Sequence, residues 1–320
     1  MEAEMEASKP VDEAEEQKKA VLAAAVTEFE NQYARPLSIF NSDLFPESEY
    51  DQRNGQSRKD GYWKYVGKGE EAPLDFTYGE FPLALFTKLV DRACALGGLA
   101  GADRSSLSMA DLGSGTGRLA LWAAATSQWK KVSGIEYLPT IAEDAQAKLS
   151  LAKLQTGLLQ TEDVQLIEGS WDDPTALEWS ELDLCFAYTT AITASEDGIL
   201  EGLSAALTKR LRRGAIVVTT DYKLDPAGFE VLESHDGVND GAGGVSTGFI
   251  HLKICAGEYE EEGVVAAAAI EEAVATAVAD AEDGAAAFAA MEAALLGDLE
   301  DAFEAMEAQL LGDLKSAFGE

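Results

Sequence analysis

Asp111-Leu112-Gly113-Ser114-Gly115-Thr116-Gly117 joins an acid to three glycines where an apolar run, Leu107 to Leu112, gives way to a helix-like stretch, Arg118 to Ala125. Gly113 and Gly115 let the backbone turn tightly and approach a ligand where a side chain would clash. Gly117 lets the following helix sit close to a sheet. A carboxylate at the strand tip, Asp111, suits a cationic ligand group, whereas a pyrophosphate suits bare helix amides. Glu136 ends a second apolar run, Val132-Ser133-Gly134-Ile135-Glu136, about twenty residues past the glycines. An acid there can accept hydrogen bonds from both hydroxyls of a ribose. Alone, the pair fits a nicotinamide dinucleotide as well. The spacing separates the two, because here Gly-x-Gly-x-Gly follows an acid rather than Gly-x-Gly-x-x-Gly following an apolar residue. A nucleoside with an ammonium group and no phosphate fits best, and S-adenosylmethionine is the expected cofactor.

Three further groups extend this constellation. Glu168-Gly169-Ser170-Trp171-Asp172 follows a third strand-like run. Trp171 either stacks on an adenine face, a contact of about 1–3 kcal/mol, or packs in the core. Ser170 or Asp172 can accept from the adenine amine. Asp183-Leu184-Cys185-Phe186-Ala187-Tyr188-Thr189-Thr190 ends a fourth strand in polar and aromatic residues. Tyr188, with Phe186 or Tyr78, is expected to wall an acceptor channel and so forms the catalytic set. Phe76-Thr77-Tyr78-Gly79-Glu80-Phe81 precedes the glycine loop and is either a strap over the cofactor or a surface turn.

These groups must be held by strands that alternate with helices. Strand-like runs are Met109–Leu112, Val132–Glu136, Val164–Ile167, Leu182–Tyr188 and Ala215–Thr220. Helix-like runs are Pro82–Leu96, Leu119–Thr126, Ile141–Leu154 and Gly198–Leu211. That alternation predicts an α/β, doubly wound, mostly parallel sheet. Phe229–Ser234 and Val245–Ile254, with a glycine-rich turn between them, predict a closing antiparallel hairpin and seven strands in all. In such sheets ligands bind at the carboxyl ends of the strands.

The chain has 320 residues, 47% of them hydrophobic, enough for one large domain with extensions. We divide it into an acidic helical or disordered arm (1–30), a catalytic domain (31–256) and an acidic Ala-rich helical tail (257–320). The domain comprises an N-terminal lid with helices (31–97), irregular over 31–75, and a Rossmann-like core (98–256). In the tail, Phe288 to Ala302 recurs almost unchanged from Phe303, a repeat of about 15 residues with an apolar stripe at steps of three or four. It is either a partner-binding helix or a solvated low-complexity one. Net charge is −34, of which residues 257–320 carry about −16 and residues 1–30 about −6. An acidic core disfavours binding to nucleic acid and favours a basic partner. Three cysteines and two histidines form no metal pattern, so no metal is expected. No apolar run of membrane length occurs and the start of the chain lacks a leader profile, so a cytoplasmic or nuclear protein is expected.

The order Tyr78-Gly79-Glu80, helix, Asp111-Leu112-Gly113-Ser114-Gly115-x-Gly117, Gly134-Ile135-Glu136, Glu168-Gly169-x-aromatic resembles class I S-adenosylmethionine methyltransferases. More narrowly it resembles the disruptor-of-telomeric-silencing family of non-SET histone-lysine methyltransferases, over roughly residues 74–192. The resemblance implies that Glu80 and Asp111 hold the methionine amino end, Glu136 the ribose and Trp171 the adenine. It implies a lysine acceptor on a basic, histone-type protein; a small-molecule acceptor or a non-catalytic scaffold are the alternatives. Three departures bear on the acceptor. Gly169-Ser170-Trp171 stands where the family has Gly-Asp-Phe, Tyr188-Thr189-Thr190 replaces its Asn-Asn-Phe strand end, and its basic DNA-contacting extension is missing.

Overall fold

A computed structural model describes residues 13–73, 76–239 and 244–257. The chain divides into two units, Met1–Gly257 and Glu258–Glu320. The repeat tail, like the first twelve residues, lies outside the described residues. The N-terminal region is helical: α1 (Glu13–Gln32), α2 (Ala34–Ile39), α3 (Tyr50–Gln56) and α4 (Tyr62–Val66). The stretch expected to be irregular therefore holds three short helices. None has the length over which periodicity is readable, and each depends on tertiary contacts.

From α5 (Leu83–Cys94) onward the expected alternation holds. The elements are β1 (Ser108–Leu112), α6 (Arg118–Thr126), β2 (Lys131–Glu136), α7 (Pro139–Leu154), β3 (Val164–Glu168), β4 (Leu184–Ala187), α8 (Glu201–Arg210), β5 (Ile216–Thr220), β6 (Phe229–Asn239) and β7 (Gly244–Lys253). The sheet runs β3-β2-β1-β4-β5-β7-β6, with β1 to β5 parallel and β7 antiparallel to both neighbours. The fold is class I, Rossmann-like. The order reverses between β1 and β4, which is where such sheets open a crevice.

Each strand feeds both layers because alternate side chains point to opposite faces. Met109, Leu184, Phe186, Ile216 and Val218 join the core under α5, α6 and α7. Ala110, Leu112, Cys185, Ala187 and Val217 join the core under α8. His251 on β7 is fully buried and bridges Val217 O through Nδ1 and the Leu224 amide through Nε2. Burial pushes its pKa down to about 4, so it is a neutral structural histidine. Two of the boundary differences bear on the site. β4 stops at Ala187, because a short helical turn, Thr189–Ala191, is tied to the end of β5 by Thr189 N donating to Thr220 Oγ1 at 3.1 Å. β6 continues through Asn239 into the stretch read as loop, paired residue by residue with β7. Among the described residues no helix is long and apolar enough to cross a membrane, and no cluster of metal-binding side chains occurs.

Candidate active site

A cavity of about 280 Å³ opens at the reversal point. Its walls include Tyr78, Gly79, Gly113, Gly115, Glu136, Ser170, Trp171, Asp172, Tyr188 and Thr190. A smaller cavity of about 30 Å³ adjoins it behind the glycine loop, lined by Tyr78, Glu80, Asp111, Gly113, Gly115, Thr116, Arg118 and Tyr188. The tips of β1, β2, β3 and β4 thus bring nearly all of the expected residues around one space.

The glycine loop takes its shape from two left-handed residues at the wall, Gly113 (φ 79°) and Gly115 (φ 55°). A Cβ on Gly115 would stand 3.1 Å from Cε2 of Tyr78, so the strap rests directly on the loop. Gly117 is also left-handed, but it serves packing: a Cβ there would lie 2.5 Å from Leu166 Cδ1. Glu136 braces the loop. Its Oε2 accepts from the Gly115 amide at 2.9 Å and its Oε1 from the Leu138 amide at 2.9 Å. Burial raises its pKa, and those backbone donors oppose the rise.

Asp111 stands apart. It is buried near the tip of β1, and its Oδ2 has no hydrogen-bond partner among the described residues. Desolvation first, and the nearby Glu136 charge second, push its pKa up to about 8. A carboxyl left without a donor beside a small cavity is costly for the fold alone. A cation placed in that cavity would repay the cost, so this donor set fits an ammonium group.

The strap is pinned by charge. Glu80 Oε1 accepts from Arg53 Nε at 2.6 Å and from the Tyr78 hydroxyl at 2.9 Å, while its Oε2 lies 3.5 Å from Arg118 Nε. Arg53 also donates to Pro46 O and Arg118 to Phe81 O. Tyr78 Oη meets Thr116 Oγ1 at 3.0 Å. Burial, with Glu80 adding to it, drives the Tyr78 pKa up, so the phenol stays neutral. Glu80, which the resemblance makes a cofactor ligand, is here held between two guanidinium groups.

The adenine-side loop is held from behind. Ser170 Oγ accepts from the Asp172 amide at 3.0 Å, and Arg210 donates to the carbonyls of Trp171 and Asp172. Trp171 is half-buried against the core under α8 and also lines the cavity. Phe186 requires correction. It does not reach the cavity; it is fully buried between Phe81 and Phe86, with ring centroids 5.5 and 4.9 Å away. The two-residue period of β4 sends it with Leu184 to the layer under α5. Tyr188, just past the strand, turns into the cavity instead, packed 5.0 Å from Phe81. Sequence reasoning passed over Arg53, Arg118 and the wall residues Ser57, Tyr137 and Ile141. Only Arg118, next to the last glycine of the loop, carried a signal.

No protein-family model and no curated protein sequence matches the chain. Solved structures do. The chain is similar to TrmN from Thermus thermophilus (19% identity, TM-score 0.39), matched over 53% of this chain and spanning 48% of TrmN. It is similar to magnesium protoporphyrin IX methyltransferase (ChlM) from Synechocystis PCC 6803 with bound SAM, at 15% identity and a TM-score of 0.39 over 68% of this chain and 94% of that one. A third is the ribosomal protein L11 methylase from Lactobacillus delbrueckii subsp. bulgaricus, at 16% identity and a TM-score of 0.36 over 54% of this chain and 78% of that one.

Proposed function

We propose that the chain binds S-adenosylmethionine and transfers its methyl group to a nucleophile. The observation that carries this reading is the buried Asp111 Oδ2, without a hydrogen-bond partner among the described residues, at the wall of a small cavity beside the glycine loop. In this reading Asp111 takes the ammonium, Glu136 offers its remaining lone pairs to the ribose hydroxyls, and Ser170, Trp171 and Asp172 hold the adenine. When bound, the cofactor supplies a methyl on a sulfonium, which leaves in line as a neutral thioether. The protein then has to align the nucleophile and keep water out. Tyr78, pinned over Gly115, closes one side, and Tyr188 lines the cavity beside it, against Gly79 of the same strap. Calorimetry with S-adenosylmethionine tests the assignment: Asp111→Ala and Glu136→Ala each lower affinity by about 100-fold if these carboxylates make charge-assisted bonds to the ligand. Unchanged affinity in both variants overturns it.

For the acceptor, a lysine amine on a basic, histone-type protein is the reading we favour. A formal charge of −34 draws a Lys-rich partner and repels a polyanion. Desolvation between aromatic side chains keeps an amine neutral and nucleophilic without a dedicated base. No histidine is at hand for that task, since His251 is buried within the sheet and His235 pairs with Glu233. With Phe186 in the core, Tyr188 and Tyr78 remain of the aromatic residues expected to wall the acceptor channel. A labelled methyl donor incubated with histones, whole-cell protein and a metabolite extract gives protein-bound label if the reading holds. Label confined to the metabolite fraction replaces it with a small-molecule acceptor.

A further inference from the structure

Behind Tyr188 lies a buried polar chain that methyl transfer has not yet used. Asn239, the last residue of β6, is fully buried. Its Nδ2 donates to Tyr188 Oη at 3.1 Å and to Ser246 Oγ at 2.7 Å. Its Oδ1 has no hydrogen-bond partner among the described residues. Ser246 donates in turn to Asp221 Oδ2 at 3.1 Å, and Asp221 Oδ1 accepts from the Thr247 amide at 2.9 Å. Asp221, just past β5, is the one non-glycine residue with positive φ (63°) among the described residues. The chain holds it in an unfavoured conformation with its carboxylate aimed at this network.

The donors and acceptors can be counted in one direction only. A carboxylate accepts and cannot donate. Asp221 therefore takes the single proton of Ser246. Ser246 Oγ, its proton spent, can only accept from Asn239. That fixes the amide with Nδ2 toward both hydroxyls and leaves Oδ1 unmet. With Nδ2 donating to it, Tyr188 Oη accepts, and its own proton must point elsewhere. No described residue takes that proton, and Tyr188 lines both cavities.

We propose that Asp221, Ser246 and Asn239 form a proton-directing chain that presents the Tyr188 hydroxyl to the cavity as a hydrogen-bond donor. Asn239 is then a positioning residue. It lets the hydroxyl bond a ligand lone pair other than the one that attacks the methyl, such as that of a carbonyl oxygen on the acceptor chain. The identity of that ligand as a methyl acceptor rests on the function proposed above; the direction of the proton does not.

Asp221→Asn tests it from a distance. Asparagine tolerates the left-handed conformation, but its amide would donate to Ser246, turn the serine proton toward Asn239, and so invert the whole chain. The full-length protein is labelled with [13Cζ]tyrosine, and the Tyr188 resonance is assigned by its loss in Tyr188→Phe. Asp221→Asn shifts that resonance, although residue 221 does not touch it, and Asn239→Asp shifts it in the same direction. With Ser246→Ala in place, Asp221→Asn no longer moves it. A Tyr188 signal unmoved by Asp221→Asn in a folded chain, or moved equally with Ser246→Ala present, overturns the proposal. Should Asp221→Asn fail to fold, Asn239→Asp decides: an unmoved signal there overturns it too. All spectra are taken without ligand. A chain that shows the shifts yet binds no S-adenosylhomocysteine keeps the proton chain and loses the methyl-transfer reading.

Discussion

The two sides of the cavity are built on different principles. On the glycine-loop side, six consecutive residues, Asp111 to Thr116, and one acid at the next strand tip, Glu136, line the two cavities. Their geometry follows from local backbone conformation and two bonds to backbone amides. On the Tyr78–Tyr188 side nothing is local. Tyr78 is held through Glu80 by Arg53 of α3 and Arg118 of α6, and Tyr188 through Asn239 by a residue beyond β5. A surface made by local turns is robust and general; one assembled from distant side chains can be changed piece by piece. The former suits a fixed cofactor and the latter a variable acceptor.

That contrast is broken most directly at Arg53. It is buried and ion-paired with Glu80, so Arg53→Ala leaves a carboxylate short of its main partner. We expect a loss of about 3–5 kcal/mol in urea unfolding, the range for breaking a buried ion pair. Hydrogen exchange should rise at residues 76–81 while the amides of 113–117 stay protected. Equal loss of protection in both stretches would show that the two sides are one cooperative unit.

Asp111→Asn sharpens the other side. The folded pKa of about 8 lies above the ordinary 3.8, so the native chain holds a proton that the unfolded chain releases. Stability contributed by this group therefore falls as pH rises from about 4 to 8 and is flat above. Asparagine removes that slope and is expected to raise stability at pH 8, because it carries no charge to desolvate or to repel Glu136, while ligand affinity drops. In the wild type, affinity for the cationic cofactor rises with pH up to about 8 because the carboxyl must ionise to pair. A melting temperature that falls in Asp111→Asn would mean the carboxylate already has a partner in the fold.

The same division explains what could be read from the sequence. Strands β1 to β5, the closing hairpin and the ring of strand tips were legible because each is announced by a short apolar run, ended by an acid or a glycine or, at β4, by Tyr188-Thr189-Thr190. The helices at 34–66 were not, since Pro36, Asn54, Gly55 and Gly61 look like loop residues and only contacts such as Arg53 with Glu80 order them. Asn239 was invisible for the same reason, because its partners lie at 188 and 246. Phe186 was misplaced although the information was present. Counting two residues back to Leu184 puts it on the inner face of β4, whereas nearness to the strand tip suggested a wall.

The smallest effect is expected at Phe186 itself. Phe186→Leu removes ring contacts to Phe81 and Phe86 but keeps an apolar residue in a site that can partly close around it. A cost of about 1 kcal/mol follows from a size change of that kind. Because Phe81 carries both Phe186 and Tyr188, the change reaches the cavity only through one shared ring. Affinity for S-adenosylhomocysteine, measured by calorimetry, should stay within about twofold of wild type, well under the 1.4 kcal/mol that a tenfold change represents. A tenfold loss would return Phe186 to the ligand's surroundings, and the side of the cavity built from distant parts would then include the sheet's own core.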